Sequence, residues 1–440
     1  MHGLRIYTDR QHLCNPSLTV LMKLSVDGHF DKSRFEKALH TLKNVHPLLY
    51  SSIRIDSDGE AYYCENSVER LELHCVNRER QNQWMEVAEA EIERPFNCEK
   101  GPLVRFFVFY GEADFDILAV VQHLVGDGDA ISRLLRDVVA AYAGIDLAIQ
   151  EQKIISSQND FPHHATPTLS VKLLTRLLNK KWNNGRQPRF GVAEYQEMFY
   201  NYHQSVDIGL SYSTIDASKL NDLYKACKTH NVTINEAIVT AFIYALQEKR
   251  HHCNSRKVTV GIPINIRKQL SFSVDTCLGN FASAITITEY YDTRKDFWQN
   301  AVRVQSKTKL KLKSTKAQWV ALNFYARMNP LLVDAMYFAA YGKCDDKAAI
   351  KAAKMLSIDK PSSTAVSNLG RLDFDCQIGS CRIRDLVFFA PKAPVSYAVL
   401  GIATLGDVMQ IGFSYDRKII SSDIMRDASS MMLELLGSVT

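Results

Sequence analysis

The chain has 440 residues, 46% hydrophobic and 23% charged, in the ordinary globular range; one core stops growing near ~250–300 residues, so two domains of roughly 200 residues are expected. No apolar run reaches the ~18–20 residues of a membrane span, and the opening MHGLRIYTDRQHLC lacks the apolar core of a secretory signal, so a soluble cytoplasmic protein is expected. The net charge of +5 is split: residues 1–150 hold 16 Lys and Arg against 23 Asp and Glu, the remainder 37 against 25, so the second half suits an anionic partner.

In chain order, Leu18 to Val26 reads as a strand. His29 to Leu49 reads as a helix capped by Asp31, with Phe35, Leu39, Leu42 and Val45 at helical spacing. Tyr50 to Glu65 has the form of a hairpin turning at Asp58-Gly59. Gln81 to Glu93 is a second helix, ended before Pro95. Leu103 to Tyr110 and Asp116 to Gln122 are apolar runs around a polar turn, the pattern of buried antiparallel strands. Ile131 to Tyr142 is a helix stopped at Gly144. The heptapeptide Gln122-His123-Leu124-Val125-Gly126-Asp127-Gly128 therefore lies between a buried strand and a helix, at the edge of a core and open to a cleft.

Residues 151–205 read as a linker carrying one amphipathic helix, TLSVKLLTRLLNKKW at 168–182. A basic helix of this type can lie on a membrane surface; packing of its apolar stripe on the body is the expected use. In the second half, Val206 to Ile215 is a strand. Asp216 caps a helix to His230, and Thr233 caps an apolar helix to Gln247. Lys257 to Ile264 and Asn280 to Thr288 are strands. Phe297 to Leu312, Gln318 to Tyr341 and Lys347 to Met355 are helical. Strands near Thr364–Ser367, Ile383–Phe389, Val395–Thr404 and Val408–Tyr415 precede a helix from Ser422 to Leu436. The expected class is α/β, with two related lobes at 1–150 and 206–440.

Histidine is the side chain best suited to move a proton near neutral pH. In the heptapeptide, Gly126 and Gly128 favour a tight turn over a regular helix. In such a turn Asp127 need not touch the imidazole of His123; it can brace the loop by pairing with a distant cation. Other chemistries fit poorly. There is no GxSxG elbow, GxxxxGK[ST] loop, HExxH or GxGxxG. The pairs His163-His164 and His251-His252 sit in polar stretches, and adjacent side chains rarely converge on one metal, so no metal site is expected. The ten cysteines show no CxxC spacing and read as reduced core residues. The basic second half fits a phosphate-bearing cosubstrate or an acidic carrier protein. It fits nucleic acid in sign only, since no reading motif accompanies it.

The context of the heptapeptide resembles the condensation-domain and CoA-dependent acyltransferase superfamily. The matching stretches are Val45-His46-Pro47-Leu48-Leu49, Pro95-Phe96-Asn97, Gly101-Pro102-Leu103-Val104-Arg105, QHLVGDG, and Ala141-Tyr142 at the end of the following helix. Gly261-Ile262-Pro263-Ile264-Asn265-Ile266-Arg267 and Leu278-Gly279-Asn280-Phe281 match further on. Ser367-Asn368-Leu369-Gly370 is most similar to the polyketide-associated and alcohol acetyltransferase branch. The signature is HHxxxDG, reduced to HxxxD in some members.

The resemblance implies two chloramphenicol-acetyltransferase-like lobes with the site in a tunnel between them. It implies His123 as the catalytic base, Asp127 and Gly128 as the structural Asp and turn glycine, and Arg267 as the Arg that pairs with Asp127. Gln122 stands where the first His usually is; it can hydrogen-bond but not titrate. Ser367 or Asn368 are candidates to stabilise an oxyanion, or simply form a turn. The implied activity is acyl transfer from acyl-CoA or an acyl carrier protein to an alcohol or amine, with no permanently bound cofactor and no acyl-enzyme. A free-standing enzyme is preferred; an amide-forming condensation enzyme and a non-catalytic docking module are the alternatives. Lys307, Lys309, Lys311 and Lys313 fit an anionic cosubstrate in sign, but alternate residues do not share a helix face.

Overall fold

The computed structural model describes residues 3–149, 151–249, 257–274 and 277–440. His251, His252 and Cys253 lie outside the described residues.

The N-terminal part runs β1 (Leu4–Arg5), α1 (Arg10–Leu13), β2 (Thr19–Asp27), α2 (Lys32–Val45), β3 (Ser52–Ile55), β4 (Ala61–Cys64), β5 (Glu72–Asn77), α3 (Gln83–Ile92), β6 (Val104–Tyr110), β7 (Asp114–Gln122) and α4 (Gly128–Tyr142). Strand β7 pairs antiparallel with both β2 and β6, and β6 pairs parallel with β5. Both faces of this sheet are covered, which explains its continuous apolar runs. Alternate residues such as Met22, Leu24, Ile117 and Ala119 pack under α2 and α4. Leu21, Leu118 and Val120 point the other way, towards Trp84 and Ala88 of α3. Asp31 caps α2 by accepting the Arg34 amide at 2.6 Å.

The remainder runs α5 (Leu169–Asn183), α6 (Val192–Ser205), β8 (Ile208–Ile215), α7 (Ala217–Thr229), α8 (Ile234–Lys249), β9 (Val258–Asn265), β10 (Ala282–Glu289), α9 (Phe297–Leu312), α10 (Thr315–Gln318), α11 (Val320–Arg327), α12 (Pro330–Tyr341), α13 (Lys347–Met355), β11 (Ser363–Arg371), β12 (Gln377–Ile378), β13 (Cys381–Phe389), β14 (Ser396–Leu405), β15 (Val408–Asp416) and α14 (Ser422–Ser438). The second sheet has the order β10-β9-β11-β14-β15-β8, with β11 parallel to both neighbours. Helices α7, α8, α9 and α14 cover one face. Helices α5, α11, α12 and α13 form a separate helical core. The α/β class and the two large sheets follow the expectation of two lobes, and β1, β4 and β3 form a third, small sheet.

Residues 206–440 are not confined to the second sheet. Strands β12 and β13 complete the first one, in the order β12-β13-β2-β7-β6-β5. Strand β13 also lies against β14 and β15 at Gly401 and Gly412, where an added Cβ would collide with the Phe388 carbonyl oxygen. Only glycine lets the backbones approach that closely, and this contact locks the two sheets together.

Several elements differ from expectation. The helix expected over Gln318 to Tyr341 is two helices, α11 and α12, with Pro330 starting the second. Proline has no N–H for a preceding turn and suits a first helical position. The helix from His29 ends at Val45, because Pro47 opens a short 3-10 turn. Strand β5 and helix α6 were not expected; β5 is a half-exposed edge strand without clean alternation, and α6 lies in the supposed linker. The nine described cysteines are all free thiols.

Candidate active site

His123 directly follows β7. Its amide donates to the Leu18 carbonyl at 3.1 Å, and the Val125 amide closes a turn onto the Gln122 carbonyl at 2.9 Å. The Leu124 carbonyl is held by the Tyr63 hydroxyl at 2.7 Å. The motif is thus pinned on both sides before α4 begins. His123 is half-buried, and its Nδ1 is sealed without a hydrogen-bond partner. That leaves Nε2 as the ring nitrogen able to reach a substrate. Burial pushes the imidazole below the usual histidine range, opposed by its own backbone carbonyl and by the Asp127 carboxylate. The shift favours the neutral ring, the state a base requires.

Asp127 turns away from this ring. Its Oδ1 accepts the Ala130 amide at 3.0 Å, capping α4, and the Arg267 guanidinium at 2.9 Å. Its Oδ2 accepts the Phe281 amide at 2.8 Å. Its own amide donates to the Gly279 carbonyl at 3.3 Å, beside a bridge between Gly126 and Gly279. Arg267, in a 3-10 turn after β9, also reaches Asp129 at 3.4 Å and lies over the Phe281 ring at 4.9 Å. Asp127 and Arg267 thus join the motif loop to segments from the second half of the chain.

Gln122 does not face the cleft. It is buried, its Nε2 donating to the His12 carbonyl at 2.9 Å and its Oε1 accepting the Leu124 amide at 2.6 Å. The imidazole nearest His123 comes from α1. His12 stacks on it with centroids 4.6 Å apart and planes 30° from parallel. Behind His12, the Asn280 amide nitrogen lies 3.2 Å from Asp9 Oδ1 and 3.5 Å from His12 Nδ1. Burial, helped by the neighbouring His123, drives His12 well below the usual histidine range. Burial also pushes Asp9 up to about 7, against the stabilising bond from Asn280. Sequence reasoning missed His12 and Asp9, since one His in TDRQHLC carries no spacing signal; Asn280 lay in a matched segment but had no assigned role.

A cavity of about 280 Å³ opens beside His123. Apolar side chains, among them Leu18, Val20, Ile264, Leu369, Phe388 and Val399, form most of its wall, and Asp127, Gly128, Arg267, Ser367 and Asn368 also border it. Asn368 is committed to its own turn, its Oδ1 accepting the Gly370 amide at 2.8 Å and its Nδ2 lying 3.5 Å from Asn235. The Ser367 hydroxyl has no protein partner among the described residues. Lys307, Lys309, Lys311 and Lys313 are exposed on and just after α9, and Lys307 pairs with Glu289 at 3.1 Å. His163 and His164 are exposed, and no cluster of three metal-ligating side chains occurs among the described residues. No described helix is long and apolar enough to cross a membrane.

Residues 5–166 match the family model of the Condensation domain. Tyrocidine synthase 3 of Brevibacillus parabrevis is 24% identical over 307 residues, which is 68% of this chain and 4% of that synthase. The chain spans about 4% of the length of the curated relatives it first matches. Among solved structures, the trichothecene 15-O-acetyltransferase of Fusarium sporotrichioides aligns with TM-score 0.69 at 12% identity, covering 99% of this chain and 94% of that one. The first condensation domain of the CDA synthetase aligns with TM-score 0.63 at 11% identity, covering 100% and 95%. The resemblance to the condensation-domain superfamily thus holds, in sequence over the N-terminal part and in fold over the whole chain.

Proposed function

We propose that the protein is an acyltransferase that uses a phosphopantetheine thioester, on coenzyme A or on an acyl carrier protein, as donor to a hydroxyl or amine acceptor. The observation that carries this reading is His123: an imidazole at the cavity wall, its Nδ1 sealed, its loop braced by Asp127 and Arg267. In the proposed reaction Nε2 takes the acceptor's proton as the acceptor attacks the thioester carbonyl. The C–S bond then breaks, and the thiolate leaves with the proton from His123. No acyl-enzyme forms, and no bound cofactor takes part. General acid–base action of this type contributes ~10²–10⁴-fold, and holding both substrates in one cavity supplies much of the rest. Ser367 is the better placed of the two oxyanion candidates, because its hydroxyl is unengaged and Asn368 is not.

Amide formation is the second reading, favoured by the similarity to peptide synthases such as tyrocidine synthase 3. One experiment separates the readings. Purified protein is offered a panel of acyl thioesters with alcohols and amines side by side, and products are read by mass spectrometry. Ester products support the first reading and amides the second. Product formation undiminished in His123→Ala would remove His123 as the base. Carrier-protein binding without any turnover would point to a docking module.

A further inference from the structure

Helix α5 has two apolar stripes, and the fold uses only one. Val171, Thr175, Leu178 and Trp182 are buried in the helical core. Leu169, Leu173 and Leu177 face outward and are 84%, 62% and 53% exposed. Spaced four residues apart, they form a row roughly 12 Å long on one side of the helix. Lys172, Arg176 and Lys180 run beside that row at the adjoining helical positions, and with Arg327 of α11 they border the same open groove. Residues 169–183 contain no Asp or Glu, and neither do residues 347–355 of α13, which packs against α5. Among the described residues no carboxylate pairs with Lys172, Arg176 or Lys180; the nearby acids Asp345 and Glu197 pair with Arg186 and Lys343.

Single exposed leucines are common on protein surfaces. Three in register beside uncompensated cations are a different arrangement, apolar and cationic at once. We infer that this face of α5 docks the protein onto an anionic lipid surface. Lysine and arginine would meet the head groups while the leucines enter the acyl boundary. The charge sets the sign of the partner. The projecting form of the row favours a lipid over an acidic protein, because a fluid surface needs no matching pocket for each leucine. The inference is independent of the transfer reaction, since it rests on no residue of the cavity.

The test is co-sedimentation of the full chain with vesicles of phosphatidylcholine alone and of phosphatidylcholine mixed equally with phosphatidylglycerol. The bound fraction should be about tenfold or more higher on the anionic vesicles and should fall as salt rises. Two triple variants, K172E/R176E/K180E and L169S/L173S/L177S, should each lower binding about tenfold or more. Their circular dichroism and melting should match the parent, because the altered side chains are exposed. Equal binding to both vesicle types overturns the inference, as does full binding by the charge-reversed variant. Retention on an immobilised acidic helical peptide without vesicle binding would assign the face to a protein partner and overturn it too.

Discussion

The imidazole of His12 stacks on that of His123, although the two residues come from α1 and from the end of β7. The Gln122 side chain fixes the arrangement from behind by donating to the His12 carbonyl. His12 is therefore expected to position His123 through ring contact. His12→Phe preserves an aromatic face and should retain most of kcat. His12→Ala should lower kcat by about tenfold or more and, as a large-to-small change in a core, lower stability by about 2–4 kcal/mol. Parallel kcat and urea-unfolding measurements separate the two effects; equal kcat loss in both variants would count against stacking.

His123→Ala should reduce kcat/KM by ~10²–10⁴-fold. Melting should change little, since His123 is half-buried and its side chain makes no hydrogen bond to another described residue. Comparison of steady-state rates with thermal melts checks this directly.

Arg267→Met leaves the Asp127 carboxylate buried without its cation. Breaking such a pair costs about 3–5 kcal/mol. Asp127 keeps its two amide donors, so the lower end is expected. Adding Asp127→Asn should recover part of the loss, because the uncompensated charge is gone while a side-chain cap for α4 remains. A double-mutant cycle by denaturant unfolding would show that coupling, and purely additive losses would refute it.

Gly128→Ala tests the cavity. An added Cβ would lie 2.8 Å from Leu369 Cδ2 and 2.9 Å from Phe388 Cζ, both at the ends of side chains that wall the cavity. These ends can shift, so the fold should tolerate the change. The cavity should narrow, and KM should rise for bulky acyl donors more than for acetyl. A KM series over donor length measures this.

Stability should fall as the solution is acidified. His12, His123 and His203 all have folded values lowered by burial, His203 to about 4. The unfolded chain binds protons that the folded chain refuses, so their contribution is complete above ~6.5 and is lost below it. Asp9 acts in the opposite sense. Its value is raised to about 7, so its contribution is largest at low pH and is lost as pH rises through that value. Asp9→Asn removes this opposing trend, and stability should then fall more steeply from pH ~7 to ~4. Urea unfolding across that range reads the slopes; identical slopes would refute a neutral buried Asp9.

Most of the elements were legible locally. Caps such as Asp31 and Asp216, the Asp58-Gly59 hairpin turn and the apolar runs of β6 and β7 depend on neighbours within a few residues. Hydrogen bonding and side-chain periodicity act at that range. Edge strand β5 and helix α6 were not legible, because their patterns depend on what covers them. The break at Pro330 carried a local signal that the apolar run around it obscured.

The chain by itself determined the QHxxxDG loop and its place between a buried strand and a helix, while the roles expected of His123, Asp127 and Arg267 are what the resemblance to the condensation-domain superfamily implies. The loop and its place rest on residue type and order. Tertiary structure alone decided that Gln122 turns inward, that His12 supplies the neighbouring ring, and that β13 crosses to the first sheet over Gly401 and Gly412. It also decided that α5 keeps a second apolar row in solvent. Each of these depends on which distant backbones come within a few ångströms, and that distance is set by packing between elements, which no local pattern encodes.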